Sequence, residues 1–395
     1  ALPVPGVNTE TLAQSLANNS LLSIMNMLGG GALERLSIFA MGVTPYITAS
    51  IIIQLLSMDV IPSLTEMTKS GQTGRMKIER ITRYLGVVLA FVQAYSLVYG
   101  FDKQYRVLTN ANLSGYLYTA TVMTAGSMFL IWIGDRISMK GIGNGLSIII
   151  FAGIVSNMPA AFMQVYQILA GGTTQGELFN GILQFALYCV LYLTFVVFVI
   201  IMETAVRKIP IQYTNSSAAR SGSDITFLPL KINSASVIPV IFAQSIMMAP
   251  QIVISFINTD LYNKLSQWLS LSTPTGLGLY ALLTILFTFF YTDLQVDPEK
   301  VAENLGKSGA YIPGIRPGNE TKTYLHKVLN RITVLGAIGL TLIAVVPYLL
   351  TMFTPLSQAT AVGGTGIIIV VGVATETVKQ LKGQLTQKQY KGFLR

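Results

Sequence analysis

Side chains able to do covalent or acid–base chemistry are scarce in this chain, and none has an evident partner. The single cysteine, Cys189, lies in an apolar run; it can form neither an internal disulfide nor a multi-cysteine metal site, and it fits a small buried hydrophobe. The single histidine, His326, falls in a charged stretch. A general base needs an oriented partner and a dry site, so a solvated or packing role suits it better. Gly141, Gly143 and Gly145 outline a phosphate loop, but they open an apolar helix and follow no strand, which favours close helix approach over nucleotide binding. Apolar segments hold no Ser–His pair, paired Asp or HExxH motif, so an intramembrane protease is excluded. No enzymatic activity, metal or cofactor is expected.

What remains is aliphatic. Val43 and Ile47 stand four residues apart, as do Leu146 and Ile150, so each pair shares a helix face. Such faces are ordinarily lipid contact or core. Their setting singles them out. The stretch from Leu36 to Leu56 is apolar yet carries Pro45 and the hydroxyls Thr44, Thr48 and Ser50. Its pattern returns 194 residues later, where Leu36, Ile38, Val43, Pro45, Ile47 and Ala49 are matched by Leu230, Ile232, Val237, Pro239, Ile241 and Ala243. Interrupted helices at corresponding places in two halves of a membrane protein point to a pathway between the halves.

Composition fixes the setting. Hydrophobic residues make up 52% of the chain and charged ones 11%, with a mean hydropathy of +0.58, values that describe a polytopic membrane protein. Nine spanning helices are expected, at about 36–57, 79–100, 114–134, 144–163, 181–202, 236–257, 275–293, 332–353 and 364–378, each near the ~20 apolar residues that a ~30 Å hydrocarbon layer requires. Alternating barrel strands are absent, so the spans are helices. Of the 26 Lys and Arg, all but Arg35, Lys103, Arg106 and Lys264 fall in alternate loops and in the carboxyl tail. The positive-inside rule makes those loops and that tail cytoplasmic. Nine spans would leave Ala1 outside; a tenth helix upstream restores two sets of five, with the two Pro-bearing helices second and seventh.

Two basic-side loops are too long to be simple connections. Residues 203–235 contain RKIPIQY and a polar run, and 293–331 contain Tyr311, Pro313 and Pro317 around Arg316, a punctuation that favours a shaped docking tip. A small-solute transporter would also show inverted repeats, but it needs a polar or charged midplane site. The span interiors hold none, and such a carrier has no use for two basic docking loops.

Five motifs, GVTPYITASIIIQLL, GIGNGLSIIIFAGI, SVIPVIFAQSI, SGAYIPGIRPG and GGTGIIIVV, occur in an order that resembles the SecY family of bacterial protein-translocation channels, with similarity from about Pro3 to Arg395. The resemblance implies an all-α polytopic fold of two pseudosymmetric inverted five-helix halves around an hourglass pore, the first helix largely absent here except for its PVPG exit. It implies an N-terminal half at 1–165, an external hinge loop at 166–180, a C-terminal half at 181–378 and a cytoplasmic tail at 379–395. Unfolded secretory polypeptides would cross the bacterial cytoplasmic membrane through it, or leave sideways into lipid. Matched motif by motif, the pore ring falls at Val43, Ile47, Leu146, Ile150, Ile241 and Ile369. A ring of branched aliphatics dewets and resists ions at rest. A plug at 18–36 would include Leu21, Leu22, Ile24, Met25, Met27 and Leu28. Candidates for a lateral gate are Ser50, Gln54, Gln244 and Ser245. SecE and SecG are the implied partner subunits, with the SecA motor or the ribosome docking at Arg207, Lys208, Arg220, Lys307, Arg316 and Lys322; signal peptides and nascent chains are the implied substrates, and membrane lipids the surroundings.

Overall fold

A computed structural model describes residues 2–7, 36–57, 61–105, 107–108, 112–170, 175–213, 226–257, 268–271, 273–353 and 364–392. The expected plug, 18–36, lies outside these residues except for Leu36, and so does Arg220.

Helices dominate: α1 (Thr44–Leu56), α2 (Pro62–Lys69), α3 (Gly71–Tyr105), α4 (Leu113–Lys140), α5 (Gly145–Ala170) and α6 (Gln175–Thr204) precede a hairpin of β1 (Val206–Tyr213) and β2 (Thr226–Lys231). Then come α7 (Ile238–Ile257), α8 (Pro274–Gln295), α9 (Pro298–Lys307), β3 (Ala310–Tyr311), α10 (Asn319–Phe353) and α11 (Gly364–Gly392). Among the described residues, six of the nine expected spans appear as helices long and apolar enough to cross a membrane: α3, α4, α5, α6, α8 and α10. Of the other three, two differ in their bounds. The first, expected from 36, begins its helix only at Thr44, because Pro45 lacks an N–H and is tolerated only in a first turn, where it sits. At 13 residues α1 is ~20 Å long and cannot cross a ~30 Å layer by itself. Residues 36–43 approach it as turns, pinned by a bridge between Pro3 and Ser37 and by the bonds Val4 N to Leu36 O (3.1 Å) and Ile38 N to Leu2 O (3.1 Å). The sixth, α7, keeps its expected place as a 20-residue helix, Ile238–Ile257. The ninth does not end at 378: α11 runs on through the expected tail to Gly392, sustained by Gln, Lys and Leu, which are good helix formers.

Packing divides the chain. Val4, Leu36, Ala40 and Met41 form one core with Ala94, Val98 and Phe101 of α3 and with Ala120 and Met123 of α4. A larger core joins α6, α7, α8, α10 and α11 around Tyr280, Leu340, Ile343 and Ile368. Between them α5 packs against α4, α6 and α11.

A third core lies in the long loops. Strands run in the order β2-β1-β3, all antiparallel, with Lys208 opposite Pro229 and Gln212 opposite Tyr311. Ile209 and Ile211 face inward from β1 onto Ala302 and Leu305 of α9 and Leu325 and Leu329 of α10, while Arg207, Lys208 and Pro210 face outward. An all-helical reading omits this sheet, although Ile209 and Ile211 are two apart, the period of a half-buried strand. Asp297 caps α9, its Oδ1 accepting from the amides of Glu299 (3.0 Å) and Lys300 (3.4 Å).

Candidate translocation site

The repeat read from the sequence recurs in the backbone. Gly42 has φ +54° and Ser236, 194 residues later, has φ +55°; α1 starts at Thr44 and α7 at the corresponding Ile238. Both helices open with the same bonds: Tyr46 N and Ile47 N to Val43 O (both 3.1 Å), Val240 N and Ile241 N to Val237 O (both 3.2 Å). Ala49 and Ala243 are both fully buried. Preceding each helix, the chain passes a glycine of a long neighbour. A Cβ on Gly126 of α4 would overlap the Ile38 carbonyl oxygen, and one on Gly336 of α10 would stand 2.6 Å from that of Ile232. Ile38 and Ile232 are themselves repeat mates, so the same steric demand is met twice. These two glycines were not among the residues singled out in the sequence; isolated glycines inside apolar helices are the available signal.

The two repeat-related helices meet. Ile51 of α1 is buried with Ala235, with Phe242 of α7 and with Tyr291 of α8; Ile47, Leu55, Ile238 and Ile241 pack against this cluster. Ile47, Ile51 and Leu55 lie four residues apart on one stripe of α1, so the seam between α1 and α7 is aliphatic and aromatic, with Phe242 edge-on to Phe287 at 4.4 Å between ring centroids. The expected gate residues sit differently. Ser50 is half-buried and Gln54 exposed; Ser245 donates to its own helix at Ile241 O (2.8 Å). Gln244 is 4% exposed, and its Nε2 makes no hydrogen bond among the described residues.

The other ring candidates lie on the second pair of packed helices, α5 and α11. Asn144 caps α5, its Oδ1 accepting from Leu146 N (3.1 Å), and Leu146 lies against Gly134, where a Cβ would meet its Cδ2 at 2.9 Å. Ile150 is half-buried. Ile369 is buried, as are Ile367 and Ile368 of the larger core beside it. Val43 is buried at the cap of α1. The structure thus unites Ile47 with Ile241 in one cluster and puts Leu146, Ile150 and Ile369 on two helices that touch. None of these side chains offers a hydrogen bond, so what they can do is exclude water and fit nondirectionally around whatever passes.

On the basic side, Arg207 and Lys208 project from β1, and Arg316 is exposed between two glycines in left-handed conformations, Gly314 (φ +80°) and Gly318 (φ +100°). Thr321 Oγ1 holds the Arg316 carbonyl at 2.9 Å, which fixes the loop and leaves the guanidinium outward. Lys307 pairs with Glu303 (2.6 Å) and Lys322 with Glu299 (2.7 Å) at exposed positions. Such pairs contribute only ~0–1 kcal/mol each and can be exchanged for a partner's carboxylates or phosphates. Arg207, Lys208 and Arg316 make no ion pair among the described residues.

Comparison with known proteins agrees with this geometry. The SecY family model matches residues 37–378. The chain is 45% identical to the protein translocase subunit SecY of Staphylococcus aureus over 396 residues, 99% of this chain and 92% of that protein. It is 44% identical to the SecY subunit of Bacillus subtilis, over 100% of this chain and 92% of the relative. Among solved structures, a protein-conducting channel superposes with a TM-score of 0.64 at 19% identity, covering 96% of this chain and 94% of that one. Sec61 of a canine ribosome-channel complex superposes with 0.62 at 18% identity, covering 96% and 94%.

Proposed function

Because this chain belongs to the SecY family, and so is a membrane-embedded channel subunit of a protein translocase and not an enzyme, we propose that its polypeptide path runs between the repeat-related starts of α1 and α7. The single observation that carries this is the shared cluster of Ile51, Ala235, Phe242 and Tyr291, against which Ile47 and Ile241 both pack. In this reading Val43, Ile47, Leu146, Ile150, Ile241 and Ile369 ring the constriction and seal it by dewetting. The aliphatic seam of α1 and α7 is the lateral gate. Ser50, Gln54, Gln244 and Ser245 border it, and the unpaired Gln244 amide is the group that gains a partner once the seam opens and water or substrate backbone enters. Segment 18–36 acts as the plug.

The protein lies in the bacterial cytoplasmic membrane with its carboxyl end in the cytoplasm, the side where the basic loops gather. SecE clamps the halves and SecG lies at the periphery. Either the SecA motor or a ribosome docks on the platform of β1, β2, α9 and the Arg316 tip. Arg316 suits either partner, since a planar guanidinium pairs bidentately with carboxylate or phosphate.

The test is a photo-crosslinking residue at Ile47, and separately at Ile241, in membrane vesicles challenged with a secretory precursor stalled in transit. Adducts from both positions to the translocating segment are expected. Failure at both, with the protein folded and the precursor engaged, would overturn the path and return a small-solute carrier to contention.

A further inference from the structure

A buried carboxylate lies outside the ring and the docking surface. Glu203 is in the last turn of α6, three residues before β1, and is 8% exposed. Its Oε2 accepts from Nδ2 of Asn233 (2.9 Å), itself 4% exposed, and Oε1 lies 3.5 Å from Ser236 Oγ, the long limit of a hydrogen bond. Asn233 and Ser236 come after β2 and before α7, so Glu203 ties together the two roots of the docking hairpin. A backbone bond from Ile232 N to Ala205 O (3.0 Å) closes the same root. Two further elements reach this carboxylate. A methyl at Gly372 of α11 would stand 3.9 Å from Oε1, and Lys231 and Lys379 supply opposing charge.

The surroundings give this contact leverage. Ser236 is five residues before Ile241 on the way into α7, and Gly372 is one turn after Ile369 on α11. Ser236 also holds a left-handed backbone that a non-glycine residue adopts at a cost, where the first half uses Gly42. Asn233 keeps its Oδ1 buried and without a hydrogen bond among the described residues. A strained backbone and an unpaired oxygen at one joint leave it poised to rearrange.

We propose that Glu203, Asn233 and Ser236 form a latch that holds the root of the docking hairpin against the two helices bearing Ile241 and Ile369, so that a partner displacing the hairpin loosens the seal. Glu203 is a positioning residue here; it touches neither the ring nor the substrate. The inference rests on the reading of the ring given above.

The test is resting ion conductance of the assembled translocase in planar bilayers. N233L removes the donor to Glu203 and adds no charge, and its resting conductance should rise at least about threefold as the seal hydrates. In the exchanged pair E203Q/N233D an amide again faces a carboxylate with donor and acceptor swapped, and conductance should stay at the wild-type value. No rise in N233L, or a rise in the exchanged pair, overturns the latch. If N233L fails to assemble, S236G decides, since glycine suits φ +55°. A raised conductance at unchanged or higher Tm supports the latch, and wild-type conductance overturns it. I47S and I241S are measured alongside. Leak in these without leak in N233L or S236G rejects the latch alone, whereas no leak in any variant rejects the ring as well.

Discussion

At the level of single residues, two glycines set how closely the halves are built. Gly126 and Gly336 each admit the backbone of a repeat-related isoleucine where a methyl group has no room. G126A and G336A should each cost ~1–3 kcal/mol, the usual penalty of forcing an extra carbon into a filled interior, and should lower the Tm of the detergent-solubilised protein. G278A is the control: nothing lies within 4 Å of a Cβ there, and alanine is the better helix former, so Tm should hold or rise. The sequence reveals Ile38 and Ile232 as repeat mates because apolar identity survives in both halves. Their glycine partners are harder to read, since a lone glycine in an apolar helix looks alike whether it faces lipid or another backbone. Gln244 was legible only as a polar residue near the proposed gate; its unpaired amide depends on packing from several helices at once.

Among the elements, the proposed docking platform is the part the sequence disclosed least. Long basic loops with proline and tyrosine announced a shaped surface, but Ile209 and Ile211 are too few to declare a strand without the α9 and α10 residues that cover them. Because this core is separate from those in the membrane, damage to it should stay local. I209A should cost ~2–5 kcal/mol within the platform and expose the β1–β2 hairpin to limited proteolysis, while the membrane helices keep their Tm. R316E alters no buried contact, as its guanidinium is exposed, so it should impair motor-driven transport more than membrane insertion of the protein itself. Equal loss of both would indicate a folding defect and count against docking at that tip. α1 carries the opposite lesson: Pro45 was plain in the sequence, yet it marks where a short helix begins and not a kink within a long one.

Across the whole molecule, a channel that must stay closed to ions yet pass many side-chain types is served by contacts without direction. The α1–α7 cluster has that character, and I47S or I241S should raise resting conductance in planar bilayers. Lowering the barrier to hydration by only ~1.4 kcal/mol would multiply the leak about tenfold. The two-half plan was readable because both halves keep Pro and Ala in register. How the halves close on each other was not, since helix pairing is set by which faces remain after every other contact is made.

α10 links the scales. It is one continuous helix of 35 residues, ~52 Å long, that begins in the docking platform and ends beyond the Tyr280–Tyr348 pair deep in the C-terminal core. Gly336, where it closely approaches the chain leading into α7, lies at its midpoint, ~26 Å from either end. The arm on the platform side holds no proline and is stiff, whereas the far arm contains Pro347, which removes one of its hydrogen bonds. Rocking the helix by roughly 5° about Gly336 would carry its platform end about 2 Å, and the Pro347 bend is where the far arm can yield, so a small push on the platform need not be copied rigidly to the other end.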